Sequence, residues 1–407
     1  MPASPVRPAE KPSRQAWLML AGAFLAFTVG ASLMHSYTVF LLAFVADFGW
    51  TRAESSLAYS VGQLVGGASS PLIGGLVDRV GVRRCVLLGG CLLTLGLLGS
   101  AFADSLWQVV FLYGVVMTVG ANCLGLLVFV PLVSRIFVRQ RGMAVSVLQS
   151  ANAFGRALSA PASQMLITGF GWRAAYLTEA AAMAVLVLPL AAIFRRSPEP
   201  PASAGGTAAA AARQWTLAEA IRTRAFWLLF LVYMCTSIGS FLVSLHQIAF
   251  AVDIGFDPLY AAGVLGMGSF LAFPGVIATG TLSDYIGREA SALLAYGISI
   301  LGVVCALLIT SPDQHLLLWL HGCGFGLTWG ARGPAITAKT ADLFPGPRLG
   351  TILGVITIGS GLGAAIGSWA AGFIFDLTNS YRIAFLLSIV AYVAGSVAFW
   401  ALRRPMR

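Results

Sequence analysis

Gly74-Gly75-Leu76-Val77-Asp78-Arg79-Val80-Gly81-Val82-Arg83-Arg84 is a compact, charged turn between two long apolar runs. A reduced version returns at Gly280-Thr281-Leu282-Ser283-Asp284-Tyr285-Ile286-Gly287-Arg288. Gly, Leu, Asp, Gly and Arg keep their order and nearly their spacing. Asp78 and Asp284 lie 206 residues apart (284 minus 78), about half of the 407-residue chain. The chain therefore reads as two related halves. Two more echoes follow, at separations of 209 and 206 residues. Gly171-Trp172-Arg173-Ala174-Ala175-Tyr176 matches Ser380-Tyr381-Arg382-Ile383-Ala384-Phe385, and Ala46-Asp47-Phe48-Gly49-Trp50 matches Val252-Asp253-Ile254-Gly255-Phe256.

Composition sets the environment of these halves. Hydrophobic residues make up 58% of the chain and charged residues 10%. A soluble protein carries roughly a quarter charged residues, so this chain cannot cover a water-facing surface. Apolar runs lie at about 17–45, 55–77, 83–103, 106–133, 141–168 and 172–194, then at 226–251, 259–283, 289–310, 315–338, 349–375 and 381–402. Each is long enough to span, because about 20 residues at 1.5 Å rise cross a core of roughly 30 Å. The expected fold is an all-α membrane protein with twelve transmembrane helices in two pseudo-symmetric six-helix bundles, at 16–194 and 226–402. Residues 1–15 are Pro-rich and basic and read as a disordered tail. Residues 195–225 read as a linker, with Pro198-Glu199-Pro200-Pro201 and an Ala/Gly tract to Ala212. It closes on Thr216-Leu217-Ala218-Glu219, of capping-box form, which starts a short amphipathic helix. Residues 403–407 form a second tail.

Twenty of the twenty-five Lys and Arg residues fall in the tails, the linker and the turns that share a side with Asp78. The opposite side has only Arg52, Arg173 and Arg382, among Asp47, Asp104, Asp253, Asp257 and Asp313. The positive-inside rule then places both termini in the cytoplasm of a plasma (bacterial inner) membrane protein. The same bias accounts for the net charge of +10 without nucleic acid. The six cysteines are scattered through apolar runs with no Cys-x-x-Cys pair, which gives no metal or disulfide framework. No Walker sequence and no Ser/His/Asp constellation appears. The reading is of a protein that is not an enzyme, holds no cofactor or metal, and is a monomer.

Over its whole length the chain resembles major facilitator superfamily transporters, with Asp78 and Asp284 in the loops that carry the superfamily signature. The resemblance implies a substrate site between two bundles near the midplane. More narrowly, the chain resembles the monocarboxylate and oxalate/formate branch. The residues that carry this are Phe48-Gly49-Trp50-Thr51-Arg52, Gly171-Trp172-Arg173, His246 with Ala251-Val252-Asp253-Ile254-Gly255, Asp342-Leu343-Phe344-Pro345, and Asp376-Leu377-Thr378-Asn379-Ser380-Tyr381. One departure matters. The branch carries an arginine in segment eight, eight residues before the loop aspartate, to pair with the substrate carboxylate. Here that position is Val276, and segment eleven has no lysine.

Substrate chemistry must then come from elsewhere. An arginine inside the membrane costs several kcal/mol unless it meets water, a partner or a substrate. Arg156 sits near the midplane of segment five, on one helix face with Gln149, Asn152, Ser159 and Ser163. Its two readings are an anion-binding fork and a clamp on carbonyls or on Glu179. Arg332 in segment ten shares a face with His321, Thr328 and Lys339, with Trp329 a possible stacking partner; its readings are substrate contact and packing. Asn122 and His246 complete the substrate-binding candidates. His35, His246 and Glu179 are the proton-coupling candidates. In the loops, Asp78, Arg79, Arg83, Asp284 and Arg288 are gating candidates. Asp78 would face the N-terminal end of segment eleven near Leu349, and Asp284 that of segment five near Gly142. The expected function is secondary transport of a small organic anion, a carboxylate, by proton symport or anion exchange. The alternatives are proton-coupled efflux of amphipathic drugs and a nontransporting membrane sensor on the same scaffold.

Overall fold

A computed structural model describes residues 13–137, 141–196, 215–344 and 349–403. Most of the N-terminal tail, most of the linker and residues 404–407 lie outside them. Among the described residues every regular element is helical.

The helices follow the apolar runs and are numbered one to twelve in chain order. Segment one is Arg14–His35 and Tyr37–Phe48, two is Arg52–Val80 and three is Val82–Ala101. Four begins at Leu106, passes through a π-helical turn at Leu112–Met117 and ends at Ile136. Five is Arg141–Phe170 and six is Trp172–Ile193. Seven is Arg224–Ser244 with Gln247–Ile254, eight is Pro258–Ile286 and nine is Arg288–Leu308. Ten is His315–Leu327 with Arg332–Leu343, eleven is Leu349–Thr378 and twelve is Arg382–Ala401. Among the described residues, nine helical runs are long and apolar enough to cross a membrane. Segments two, five and ten fall short of the expected twelve for a physical reason. Two and five carry arginine, serine and glycine on inward faces, and ten is broken into two short pieces.

The repeat is visible in the backbone. Gly81 and Gly287, 206 residues apart, have φ of 81° and 92° where the opening turn and its echo start the next helix. Gly49 and Gly255, again 206 apart, have φ of 68° and 109°. Side chains rarely adopt this conformation, so glycine is required at these turns. Buried apolar residues form two large clusters. One is centred on the first half and the other lies in the second.

The bundles touch toward the end that carries Arg52. There segment two packs on eleven and segment five on eight. A Cβ added to Gly372 would meet the Arg52 carbonyl at 2.6 Å, and one added to Gly266 the Ala157 carbonyl at 2.7 Å, so small residues permit the approach. Phe154 meets Phe270 edge-on at 5.1 Å across the same seam. Toward the Asp78 end, a Cβ on Gly67, Gly74, Gly75 or Gly354 would meet nothing within 4 Å. Among the described residues, the side-chain hydrogen bonds between the halves all lie toward the Arg52 end. The helix expected after Thr216 is present as Leu217–Ile221, with Thr216 and Glu219 forming the capping box.

Candidate functional site

Between the bundles lies a small cavity with an empty volume of about 380 Å³ counted out to its mouth. Arg156 enters it from segment five, with His35 and Thr38 from segment one. The second half contributes Ser244 and Gln247 from segment seven, Ser269 from eight and Trp329 from ten. Local breaks place several of these groups. His35 ends the first piece of segment one, Gln247 opens the second piece of seven, and Trp329 sits in the gap of ten, beside Gly330 with φ of 75°.

Arg156 is buried, with 8% of its surface exposed. Its Cζ lies 3.6 Å from the centroid of the Trp329 ring, a stack that crosses from one bundle to the other. Its Nη1 is buried and has no hydrogen-bond partner. The aromatic face balances part of the charge and leaves the edge of the guanidinium free, since stacking uses the face and hydrogen bonding the edge. A buried donor without a partner is costly, and the cavity is where one can be supplied. No ion pair joins Arg156 to Glu179. Glu179 instead accepts a hydrogen bond from Ser163 at 2.6 Å, between segments five and six.

The other sequence candidates separate. Asn152 lies beside His35. Gln149 is exposed, one turn further toward the Asp78 end. Asn122 donates to the Gly66 carbonyl at 3.0 Å and to Ser69 Oγ at 2.9 Å, which ties segment four to segment two away from the cavity. Arg332 does not join Arg156. It is 2% exposed inside the second bundle, where Nη1 donates to Ser299 Oγ at 2.7 Å and the guanidinium lies between the rings of Tyr296 and Tyr392. Helical spacing put Arg332 on a face with His321, and that face turns into its own bundle. Lys339 pairs with Glu289 at 2.6 Å. Arg79 and Arg83 are exposed, and Arg288 donates to Ser283 Oγ at 2.8 Å. The side chains of Asp78 and Asp284 lie outside the described residues.

A second constellation, not singled out from the sequence, closes the Arg52 end. Arg52 Nη2 meets Asp253 Oδ1 at 2.7 Å and Nη1 donates to Tyr381 Oη at 2.7 Å. Its Cζ lies 4.3 Å from the Phe375 centroid. The backbone N–H groups of Arg52 and Ala53 donate to the two oxygens of Asp376, each at 2.8 Å. His246, fully buried, lies below: Nδ1 is 3.2 Å from Tyr381 Oη, and Nε2 is 3.1 Å from Ser56 Oγ and 3.0 Å from the Ser368 carbonyl. Ser60 and Ser368 meet at 2.7 Å. A signal for this clasp was present. Three of the stretches that carry the resemblance, ending at Arg52, Gly255 and Tyr381, supply its charged groups.

Two bundles joined at one end, with a polar cavity between them, match a known architecture, and the sequence decides which. Residues 18–338 match the family described as Major Facilitator Superfamily. The chain belongs to the Major Facilitator Superfamily. Among similar proteins, monocarboxylate transporter 13 of Rattus norvegicus is 27% identical over 384 residues, covering 93% of this chain and 87% of that one. The uncharacterized MFS-type transporter YcxA of Bacillus subtilis (strain 168) is 25% identical over 397 residues, covering 93% and 92%. In three dimensions the chain is similar to the nucleoside transporter NupG, with a TM-score of 0.75 at 13% identity over 96% of this chain and all of that one. It is equally similar to a bacterial homolog of the human lysosomal transporter Spinster in an inward-facing, occupied conformation, at 15% identity over 98% of each chain. At such identities the structural likeness carries the fold alone. As a major facilitator superfamily member, the protein is an integral membrane transporter and not an enzyme.

Proposed function

We propose that the protein carries a small organic anion, a carboxylate, by alternating access, with Arg156 as the group that binds the anionic end. The observation that carries this reading is the buried, unpartnered Nη1 of Arg156 at the interbundle cavity. A carboxylate would complete it with a charge-assisted hydrogen bond, while Trp329 keeps the guanidinium face. Ser244, Gln247 and Ser269 offer hydrogen bonds from the opposite bundle to the rest of a small solute. The similarity to proteins named monocarboxylate transporters supports the substrate class. Arg156 takes over the role for which position 276 has only valine.

The basic excess around the Asp78 turn supports a cytoplasmic location for that end. On this reading the Arg52 clasp closes the outer side, as the inward-facing half of an alternating-access cycle requires. Coupling to protons or to a counter-anion would drive net movement, with His35, His246 and Glu179 as the titratable groups available.

Uptake into proteoliposomes of a panel of labelled mono- and dicarboxylates tests the reading. Arg156→Gln should reduce carboxylate uptake by at least about tenfold, the loss of one charged hydrogen bond, while the protein elutes as a single folded species. Undiminished uptake by Arg156→Gln would overturn the role of Arg156. Proton movement driven by cationic drugs, with no carboxylate flux, would replace the reading with drug efflux.

A further inference from the structure

We infer that the clasp at the Arg52 end contains a proton-binding site, His246 Nδ1, and that occupying it opens this end of the transporter. The argument rests on which atoms must donate.

At Nε2 both partners can only accept. One is the Ser368 carbonyl. The other is Ser56 Oγ, whose own hydrogen is given to the Arg52 carbonyl at 2.6 Å. Nε2 therefore carries the hydrogen. At Nδ1 the partner is the Tyr381 hydroxyl, whose oxygen already accepts from Arg52 Nη1. Its hydrogen points to Nδ1, which accepts it. The chain of donors runs Arg52 to Tyr381 to His246 to Ser368, and it closes only around a neutral imidazole.

Among the described residues, the charged and titratable groups around this ring belong to the clasp. They are Arg52 of segment two, Asp253 of seven, Asp376 of eleven and Tyr381 at the start of twelve. Asp253 Oδ1 is held by Arg52, and both oxygens of Asp376 are held by the backbone of Arg52 and Ala53. A proton taken from water at Nδ1 breaks no covalent bond in the protein. It does turn Nδ1 from acceptor to donor and sets a second cation beside Arg52. The Tyr381 hydrogen then loses its acceptor in a buried place, and Asp253 Oδ1 and both oxygens of Asp376 are already engaged by Arg52 and Ala53. Buried polar groups left in that state are costly. The hydrogen bond lost, from Tyr381 to His246, lies within the second half, but Arg52 and Ser56 of the first half cover it, and the new cation repels Arg52 across the seam. Separation at this end relieves that repulsion and lets water satisfy the displaced hydroxyl, so the cost falls on the closed state. Protonation therefore favours separation of the bundles at this end, the kind of two-state bias by which buried histidines act as switches.

For its consequence in transport this inference rests on the reading above; its structural test does not. Spin labels at Ala46 and Leu377, both exposed and on opposite bundles, report the separation of the Arg52 end by electron–electron distance measurement. The full chain, with its six native cysteines replaced, is measured in lipid nanodiscs with no solute present. On lowering the pH from about 8 to about 5, the range in which histidine changes charge, the population at long distance should rise at least about fivefold. In His246→Gln, whose amide supplies one donor and one acceptor but does not titrate, the long-distance population should stay low and flat. In Tyr381→Phe, which removes the conflicted hydroxyl, the end should already be more open at about pH 8 and respond less to acid. A pH response in His246→Gln equal to that of the parent, or no response in the parent, overturns the inference. If His246→Gln does not fold, an unchanged response in Tyr381→Phe overturns it equally.

Discussion

Arg52 and Asp253 meet at 2.7 Å across the two halves of the chain, whereas Asp47, the repeat counterpart of Asp253 (253 minus 206), keeps Arg173 of its own half at the same distance. One acidic position of the repeat thus does two jobs. In the first half it joins segments one and six, with Trp172 Nε1 also donating to Asp47 at 3.0 Å. In the second half it has turned to a cation of the other bundle. Arg382, the echo of Arg173, is exposed and makes no ion pair among the described residues. The asymmetry has a cause in the sequence. The counterpart of Arg52 is Pro258 (52 plus 206), so a cation for a cross-bundle pair exists at only one of the two equivalent places.

Asp253→Asn should therefore loosen the Arg52 end, and Asp47→Asn should not. The Asp253 side chain is 33% exposed, so solvent screens part of the pair and a loss of about 1–2 kcal/mol is expected. That corresponds to a rise of roughly 5- to 30-fold in the ratio of open to closed, read from the Ala46–Leu377 label distance. An equal effect from Asp47→Asn would show that the acid acts through its own loop.

Trp329 holds the face of Arg156 from the opposite bundle, so its aromaticity should matter more than its bulk. Trp329→Phe keeps a ring and should leave the half-saturating carboxylate concentration within about threefold of the parent. Trp329→Leu removes a desolvated cation–π contact of about 1–2 kcal/mol and should raise that concentration by roughly 5- to 30-fold. Concentration dependence of uptake measures both. Equal effects of the two substitutions would make Trp329 a packing residue.

Arg332 offers the contrast of an arginine turned into one bundle, where Ser299 holds its Nη1 while its Nε stays without a partner. Removing it empties a space among Ser299, Tyr296 and Tyr392 inside one bundle. Arg332→Ala should lower stability by about 2–4 kcal/mol, seen as an earlier thermal unfolding transition in detergent. The fraction that folds should keep the parent's half-saturating concentration. A change in half-saturation without a change in stability would return Arg332 to the substrate site.

Two arginines that look alike in sequence have separated in space, and the reason is general. The sequence by itself determined the membrane class, because 10% charge cannot solvate 407 residues, and it determined the two halves, because the Asp78 turn and its echo need glycine at Gly81 and Gly287. It also placed Arg156 midway along segment five, which the helix Arg141–Phe170 bears out. Only the tertiary structure decided which way each polar face turns. Helical spacing groups residues on a face but carries no information about the neighbour that face meets. The face of Arg156 met the other bundle, that of Arg332 met its own, and Asn122 became a tie between two helices. The stretches of the clasp stood out in the sequence, but their joining did not, for the same reason. Its members come from four places in the chain and lie as far as 329 residues apart, the separation of Arg52 and Tyr381, so no local pattern joins them. The helix breaks at His246 and Trp329 were equally silent, because tertiary packing and turn geometry set them and the surrounding run stays apolar. The opening turn fixed how many halves there are, and packing fixed what lies between them.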